Sequence, residues 1–522
     1  MSFDVVNGLT AVENPAVSVG SGKVPTDVSS TQEVTSQWEP DNGASASTAI
    51  GEPTNYNGQD ITFNIDVPSN SRVLFDKSYI RLDGFGCYMN GGTTCTAAAT
   101  GMSIPWNPIA ALLDTAEIQF NSQNIMVEKI NQELGHASMV KMLTRYTKEA
   151  LDSMGERFFV PTIESQRDLN TGINHSGTPT NTASGLSQES IDRAHFNLVR
   201  EVTGSHGIKA HSKNIYLHDL FDSVRAPAAF FLQKIKVTIH IKAKDQILFA
   251  DQGALYANNI APIDPALMRY FVTRATMFLT MVDMTENQLA KDAQVLSTSE
   301  AIFRESYSAF DARAASFTTG ASIRDSNIIN MQAAAFMFPS NLAGDTFTHA
   351  DGRVYHVGCN PYQYCYSCGA GGLNGVTSYQ HRYNGLCSPK QPITVYGIGG
   401  AVLTGVPAPG CGNNTDLFHQ YRLLTRKTAT NELSTALNFE SSMGTDFEGP
   451  NGRLEPALMQ DNNPYVLFCA QFYPLNAAFH KNLIGSNHEI TITGGTASTI
   501  IIVRIRTCLL ELLGNYQIRT CI

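Results

Sequence analysis

The residues with the clearest chemical potential are Cys359, Cys365, Cys368 and Cys387, which share one Gly/Tyr-rich stretch with His356 and His381. A Cys-x-x-Cys pair such as Cys365 and Cys368 sets two thiolates on one side of a tight turn, which is half of a tetrahedral zinc site. Cys359 or Cys387 would complete it. A second Cys-x-x-Cys is missing, so free thiols in a loop are the simpler expectation, and a disulfide is the alternative in oxidising surroundings. His218-Asp219 follows an apolar stretch and has the form of an acid–base pair. No nucleophile stands near it, and a satisfied polar pair at a turn is expected instead. Asp311 or Glu300 with Glu305 offers the carboxylate pair of a glycosidase. A chain with 46 acidic residues contains such pairs by composition alone. Gly20-Ser-Gly-Lys23 runs into Val24 where a phosphate loop needs Ser or Thr. The Gly pairs at 371, 399 and 494 are not followed by helical patterns, so no dinucleotide fingerprint is supported. Asn174-His-Ser and Asn413-Asn-Thr match the glycosylation sequon, both in predicted loops. No catalytic, cofactor-binding or metal-binding residue is therefore assigned, and no cofactor is expected.

Composition narrows the classes further. The chain has 522 residues, 43% hydrophobic and only 16% charged. That charged share is low beside the roughly 25% usual for soluble proteins. Forty-one glycines and 22 prolines favour turns, and with them β structure. A net charge of −10 argues against a basic nucleic-acid-binding surface. No apolar run approaches the ~18 residues a membrane-spanning helix needs. The opening Met1-Ser-Phe-Asp-Val-Val-Asn has no basic or apolar region of a secretory signal, so synthesis in the cytosol is expected.

The elements that would position any site follow from periodicity. Residues 1–58 are polar and acidic, with Trp38 as the single anchor, and predict an extended N-terminal arm that orders against a partner surface. Asp60–Val67 alternates Ile61, Phe63, Ile65 and Val67, the period of a half-buried strand. Thr115–Asn121 and Asn124–Val127 predict a hairpin. A helix is predicted over Asn131–Met154, with Met139, Leu143, Tyr146 and Ala150 on its apolar face. Ile215–Phe221 and Phe230–Ile241 close a first half over 59–252. Residues 253–265 read as a linker, and 266–522 repeats the grammar. Its expected strands include Tyr270–Val282, Ile323–Phe338, Tyr465–Tyr473, Glu489–Thr493 and Thr499–Cys508, with a helix over Thr415–Leu437. Each half carries a long irregular segment: Ser165–Glu189, and the Gly/Tyr/Cys-rich insertion Asp351–Gly412. The fold class expected is all-β (mainly β), as two tandem β-sandwiches, each with an inserted helix and a long loop. Helices are too few for a doubly wound sheet.

Four segments resemble the major capsid proteins of double jelly-roll viruses, nearest to those of polinton-like viruses and virophages, with adenovirus hexon more distant. They are Ile61–Val67 with Val73–Gly84; Ala116–Ile125 with Val140–Phe159; Ile215–Val224 into Phe230–Ile241; and Met268–Thr280 with Arg324–Pro339. The pattern covers about 300 of the residues. The cysteine-rich stretch and the acidic arm are not part of it. The resemblance implies two upright jelly rolls in one protomer and three protomers around a threefold. Such a pseudo-hexameric capsomer would tile an icosahedral shell. Apolar side chains left outside the barrels would form the flanks, the long loops an outward tower, and the arm a tie to neighbouring capsomers. Implied partners are the homotrimer, neighbouring capsomers, and penton and minor or cement proteins. Direct nucleic-acid binding is not implied, and an internal membrane or host receptor is left open. The implied location is the virion, after synthesis in the host cytoplasm, with no enzymatic activity.

The competing expectation is a carbohydrate-binding or carbohydrate-cleaving β-sandwich, which needs two convergent carboxylates in a cleft. A zinc- or redox-active protein centred on Cys365 and Cys368 is a third, which metal content would decide. The strand assignment has its own test. Ile239→Asp sets a charge on a buried strand face and is expected to abolish soluble folding; normal thermal unfolding of that variant would refute the alternation.

Overall fold

The computed structural model describes residues 33–45, 54–83, 86–90, 95–97, 102–103, 109, 112–120, 125–130, 133–146, 198–199, 212–225, 232–243, 250–251, 268–297, 301–338, 346–348, 354–356, 376–395, 415–428, 467–472, 486–513 and 517–521. The structure is mainly β, and its larger antiparallel sheets form two sandwiches. In the first, one sheet runs in the order Asp60–Asp66, Lys234–Ile241, Leu113–Phe120, Ile125–Ile130. Alternation builds its inner face. Ile235, Val237, Ile239 and Ile241 are buried, flanked by Ile61, Phe63 and Ile65 on one neighbour and Ala116, Ile118 and Phe120 on the other. The facing sheet runs Glu33–Trp38, Arg274–Asp283, Tyr79–Asp83, Ser212–Tyr216. Ile80, Leu82, Ile215, Met277 and Leu279 from this sheet join the same core.

The second sandwich shows the nested pairing of a jelly roll. Its first long strand, Ala301–Phe317, pairs along its length with Ser498–Leu513, near the other end of the chain. The next strand inward, Ser322–Asp325, pairs with His488–Gly494. One sheet is completed by Met331–Met337 and Phe468–Gln471, the other by Val376–Tyr383 and Leu386–Thr394. Phe336, Phe468 and Tyr379 pack face to face and edge to face between them, with Ile490, Ile492, Ile500 and Ile502 around them. The first sandwich repeats the nesting where Asp60–Asp66 meets Lys234–Ile241 and Tyr79–Asp83 meets Ser212–Tyr216.

Turn chemistry closes the hairpins. Asn384 and Gly385 have φ of 47° and 83°, the pattern of a type I′ turn, which matches the twist of its strands. Gly494 and Gly495, both at positive φ, turn His488–Gly494 into Ser498–Leu513, but these strands belong to different sheets and do not pair, so the connection crosses between sheets and is not the hairpin that the glycine pair suggests in sequence.

Several boundaries differ from the sequence reading. Strand Arg274–Asp283, assigned by sequence to 266–522, lies inside the first sandwich between Glu33–Trp38 and Tyr79–Asp83. Met268–Phe271 likewise pairs with Gly86–Asn90. A polar, Pro-rich stretch looked like a boundary, but the chain returns to fill a sheet before leaving it. The arm is shorter than expected, because Glu33–Trp38 already pairs within this sheet. Tyr56 and Asn57 are buried, with the Asn57 side chain bonded to the backbone of Val272 and Lys242. Residues 376–395, within the expected insertion 351–412, are paired sandwich strands, the inner one with Tyr379 and Tyr383 buried and Leu386–Thr394 at the sheet edge. There tyrosine fills a sandwich rather than an outward projection. Ile215–Phe221 changes from strand to a short helix, Leu217–Leu220. The helix Glu286–Leu296 and the strand Ala301–Phe317 carry weak apolar periodicity and were not expected. The predicted linker 253–265 and the excursion 165–189 lie outside the described residues.

Gly495 gives a sharp test. Its φ is +84°, and a Cβ there would lie 2.9 Å from Phe317 Cε1. Gly385, at φ +83°, has nothing within 4 Å. Gly385→Ala is expected to cost about 1 kcal/mol of conformational strain, and Gly495→Ala about 2–3 kcal/mol, strain plus collision. Equal urea midpoints for the two variants would contradict the close approach.

Candidate functional site

The most densely built polar site lies where the two sandwiches meet. Helix Leu134–Arg145 packs on Leu113–Phe120 of the first sandwich and on Ala301–Phe317 and Ser498–Leu513 of the second. Its described buried positions include Leu134, Ala137, Val140, Lys141 and Thr144. Polar side chains are buried with them: His136 and Ser138 as well as Lys141 and Thr144. Thr144 bonds the Val140 carbonyl within its own helix at 2.7 Å. Lys141 reaches across to Asp222.

Asp222 is the hub. Its carboxylate accepts from Lys141 Nζ at 3.0 Å and from Arg145 Nη1. It also accepts from the backbone N–H of Phe310, in the second sandwich, at 3.3 Å. Arg145 donates to the Ser308 carbonyl at 3.2 Å, and its guanidinium lies 4.8 Å from the centroid of the Phe310 ring. One carboxylate and one guanidinium therefore each bridge the two sandwiches. Glu128 sits close by and accepts from the Ser223 N–H at 2.8 Å. Burial works to raise Asp222, but Arg145, Lys141 and Arg225 outweigh it and hold the carboxyl below the usual range. Burial, then the Asp222 charge, pushes Glu128 up. Burial lowers Lys141 against the pull of Asp222. Beside them, burial pushes the Cys508 thiol up to about 11, which leaves it protonated and inert at neutral pH.

The structure distributes the sequence candidates differently. His218-Asp219 belongs to the edge of this joint. Asp219 accepts from Tyr146 Oη at 2.5 Å and pairs with Arg225 at 3.5 Å and His218 at 3.6 Å. Asp311 is an ion-pair partner of Arg506 at 3.1 Å and Arg504 at 3.7 Å. Glu300 and the side chain of Glu305 lie outside the described residues, as do Cys359, Cys365, Cys368, Gly20–Lys23 and both sequons. Cys387 is a half-buried free thiol on the Leu386–Thr394 strand. His381, grouped with the cysteines by sequence, is fully buried and faces His488 instead. His356 ends the short strand Val354–His356. Among the described residues no three His, Cys, Asp or Glu side chains cluster as metal ligands, and no helix is long and apolar enough to cross a membrane. Trp38 packs partly buried against the core of its own chain. Val34 and Leu386 are the exposed large hydrophobics of the described surface. Tyr79, half-buried, stacks on the buried ring of Phe278 at 4.9 Å and meets the half-buried Tyr216 at 5.4 Å.

Sequence reasoning missed Asp222, Lys141 and Arg145. The signal available was a lysine and an arginine at i and i+4 on a helix that also buries Leu134, Ala137 and Val140. Their acidic partner stands 77 residues beyond Arg145, and no local pattern pairs them.

Asp222→Asn preserves the shape and removes the charge that Lys141 and Arg145 share. Breaking such a buried pair is expected to cost about 3–5 kcal/mol. Denaturant unfolding reads this directly, and a midpoint equal to wild type would mean the joint is not held by charge.

No family model matches the chain, and no curated protein matches it. Among solved structures, the chain is similar to the cryo-EM structure of the Sputnik virophage, at 10% identity and TM-score 0.49, over 98% of this chain and 92% of that one. It is also similar to the mavirus major capsid protein, at 9% identity and TM-score 0.44, over 94% and 90%. The structure of Sulfolobus Turreted Icosahedral Virus aligns at 10% identity and TM-score 0.33, over 93% and 91%. These are structures of the kind the sequence resemblance names, and the jelly-roll assignment itself rests on the strand pairing above.

Proposed function

We propose that this chain is a major capsid protein with a structural rather than catalytic role, and that three copies associate into a pseudo-hexameric capsomer. The observation that carries the reading is the doubled jelly roll held as one block. The strand Ser498–Leu513 sends Ile500 and Ile502 into the core of the second sandwich and Ile501, Val503 and Ile505 into the core continuous with the first. Two sandwiches joined this way present two similar barrels side by side. Three such blocks around a threefold place six barrels in a ring, and one sequence then tiles a near-hexagonal sheet. In this reading the described Glu33–Trp38 strand fixes the root of the arm. The residues before it tie neighbouring capsomers together, with penton and minor proteins closing the shell. The site of action is the virion after synthesis in the host cytoplasm, and no cofactor takes part.

Mass in solution tests the proposal. Light scattering on the purified full chain is expected to give three times the 56.7 kDa of one chain, with ring-shaped particles in micrographs. A monomer stable at micromolar concentration would overturn the reading.

A further inference from the structure

A second buried polar cluster lies inside the second sandwich, apart from the joint. His381, on Val376–Tyr383, and His488, on His488–Gly494, stack with ring centroids 5.4 Å apart and planes 12° apart. Both are almost wholly buried. His381 Nε2 lies 3.1 Å from the Phe468 carbonyl, which can only accept, so Nε2 carries the proton. A neutral His381 then has a bare Nδ1, which faces His488 Nε2 at 3.1 Å. His488 Nε2 must donate, which leaves its Nδ1 bare to accept from Arg504 Nε at 3.4 Å. The chain of donors runs one way: Arg504 to His488, His488 to His381, His381 to the Phe468 carbonyl. Each tautomer is fixed by its neighbours, and every ring nitrogen is used once.

That order exists only while both imidazoles are neutral. A proton on His381 Nδ1 would point at the His488 N–H, and a proton on His488 Nδ1 would point at the Arg504 N–H. We propose that the Arg504–His488–His381 chain is an acid-sensitive latch that ties the two sheets of the second sandwich together and releases when either imidazole takes up a proton.

The surroundings oppose the added charge. From the sheet that carries Ser498–Leu513, Arg504 faces His488, with Arg506 further along the same strand. Arg313 and Asp311 come from Ala301–Phe317 and Asp325 from Ser322–Asp325. Asp325 pairs with Arg504 and with Arg313, the latter at 2.8 Å from Nε; Asp311 pairs with Arg506 and Arg504. Three guanidinium groups thus share two carboxylates. Phe336 from Met331–Met337 and Phe468 from Phe468–Gln471 present rings, and Phe472 lies edge-on to His488. The Cys469 thiol is held protonated by burial. Tyr379 is committed to the Cys469 carbonyl at 3.0 Å and Tyr383 to the Ile328 carbonyl at 2.9 Å. Glu489 pairs with Arg324 and Arg382 and is occupied there. Burial lowers His381 to about 4. Burial first, then His381 and Arg313, put His488 well below its ordinary value.

The sign follows. A histidine lowered in the folded state stabilises fully above its unfolded value of about 6.5, and that stabilisation is lost as pH falls toward the folded value. For His381 alone, moving from pH 7.5 to pH 5 is expected to reduce the folding equilibrium constant roughly 30-fold.

The test uses the full chain. Histidine C2–H deuterium exchange followed by mass spectrometry reads the titration midpoints of His381 and His488 separately. Midpoints below 6 for both are expected; a midpoint at or above 6 for either overturns the latch. In parallel, denaturant unfolding at pH 7.5 and pH 5 is compared for wild type and His381→Gln/His488→Gln, whose amides keep one donor and one acceptor but do not titrate. The double variant is expected to lose most of the 30-fold difference. An undiminished difference would assign acid sensitivity to other groups and refute the proposal. Should the double variant not fold, the exchange midpoints in wild type decide alone.

Discussion

The fold depends on one strand being buried on both faces. Ser498–Leu513 lies between two cores, and where both are apolar its sequence runs Ile500-Ile501-Ile502-Val503 without alternation. Burying each such side chain contributes about 1.5–3 kcal/mol. The pleat fixes which residue serves which core. A slip of one position would aim Arg504 at the first sandwich and set Ile505 among Asp325, His488 and Arg313. The pairing with Ala301–Phe317 runs almost the whole length of both strands, and its irregularity falls at the far end, near Ala301 and Phe303. Register, sandwich identity and the relation of the two halves are therefore one constraint.

Apolar contact alone would let the two sandwiches slide, because hydrophobic burial has no direction. The Asp222 cluster supplies direction. A carboxylate that must meet Lys141, Arg145 and the Phe310 N–H at once has essentially one place to sit. Removing three charges from water is costly, and the attraction among them offsets that cost only in good geometry. We read the cluster as a device that selects one arrangement of two stable sandwiches, at some expense in stability.

What was legible in the sequence follows the same division. Alternation such as Ile235, Val237, Ile239 and Ile241 announces a strand with one wet face, and Leu417, Tyr421 and Leu424 announce a helix buried on one side; the structure has both. The Gly494-Gly495 turn was legible because positive φ demands glycine, but the passage from one sheet to the other that it makes was not. Arg274–Asp283 was recognised as a strand but placed in the wrong sandwich, since sheet membership depends on pairing partners nearly 200 residues away. The Tyr379–Tyr383 segment was read as a surface projection because glycine density masked two buried tyrosines. His381 was grouped with cysteines by nearness in sequence, whereas its partner is His488, which stands 107 residues further along. Composition and period report local environment, and they do not report which distant residue completes it.

The two polar clusters respond to acid in opposite ways. Glu128 is raised in the fold, so it gains protons more readily there than in the unfolded chain, and its contribution grows as pH falls. Asp222 is lowered, so its contribution is intact above the ordinary aspartate value of about 3.9 and is lost only below it. Between about pH 6.5 and 4 the joint therefore keeps its charges or relaxes a repulsion, while the imidazole chain inside the second sandwich meets the protons it excludes. Mild acid should loosen the interior of one barrel before it separates the two. A block with its weakness placed inside a barrel rather than between barrels can yield locally and still keep its neighbours in position.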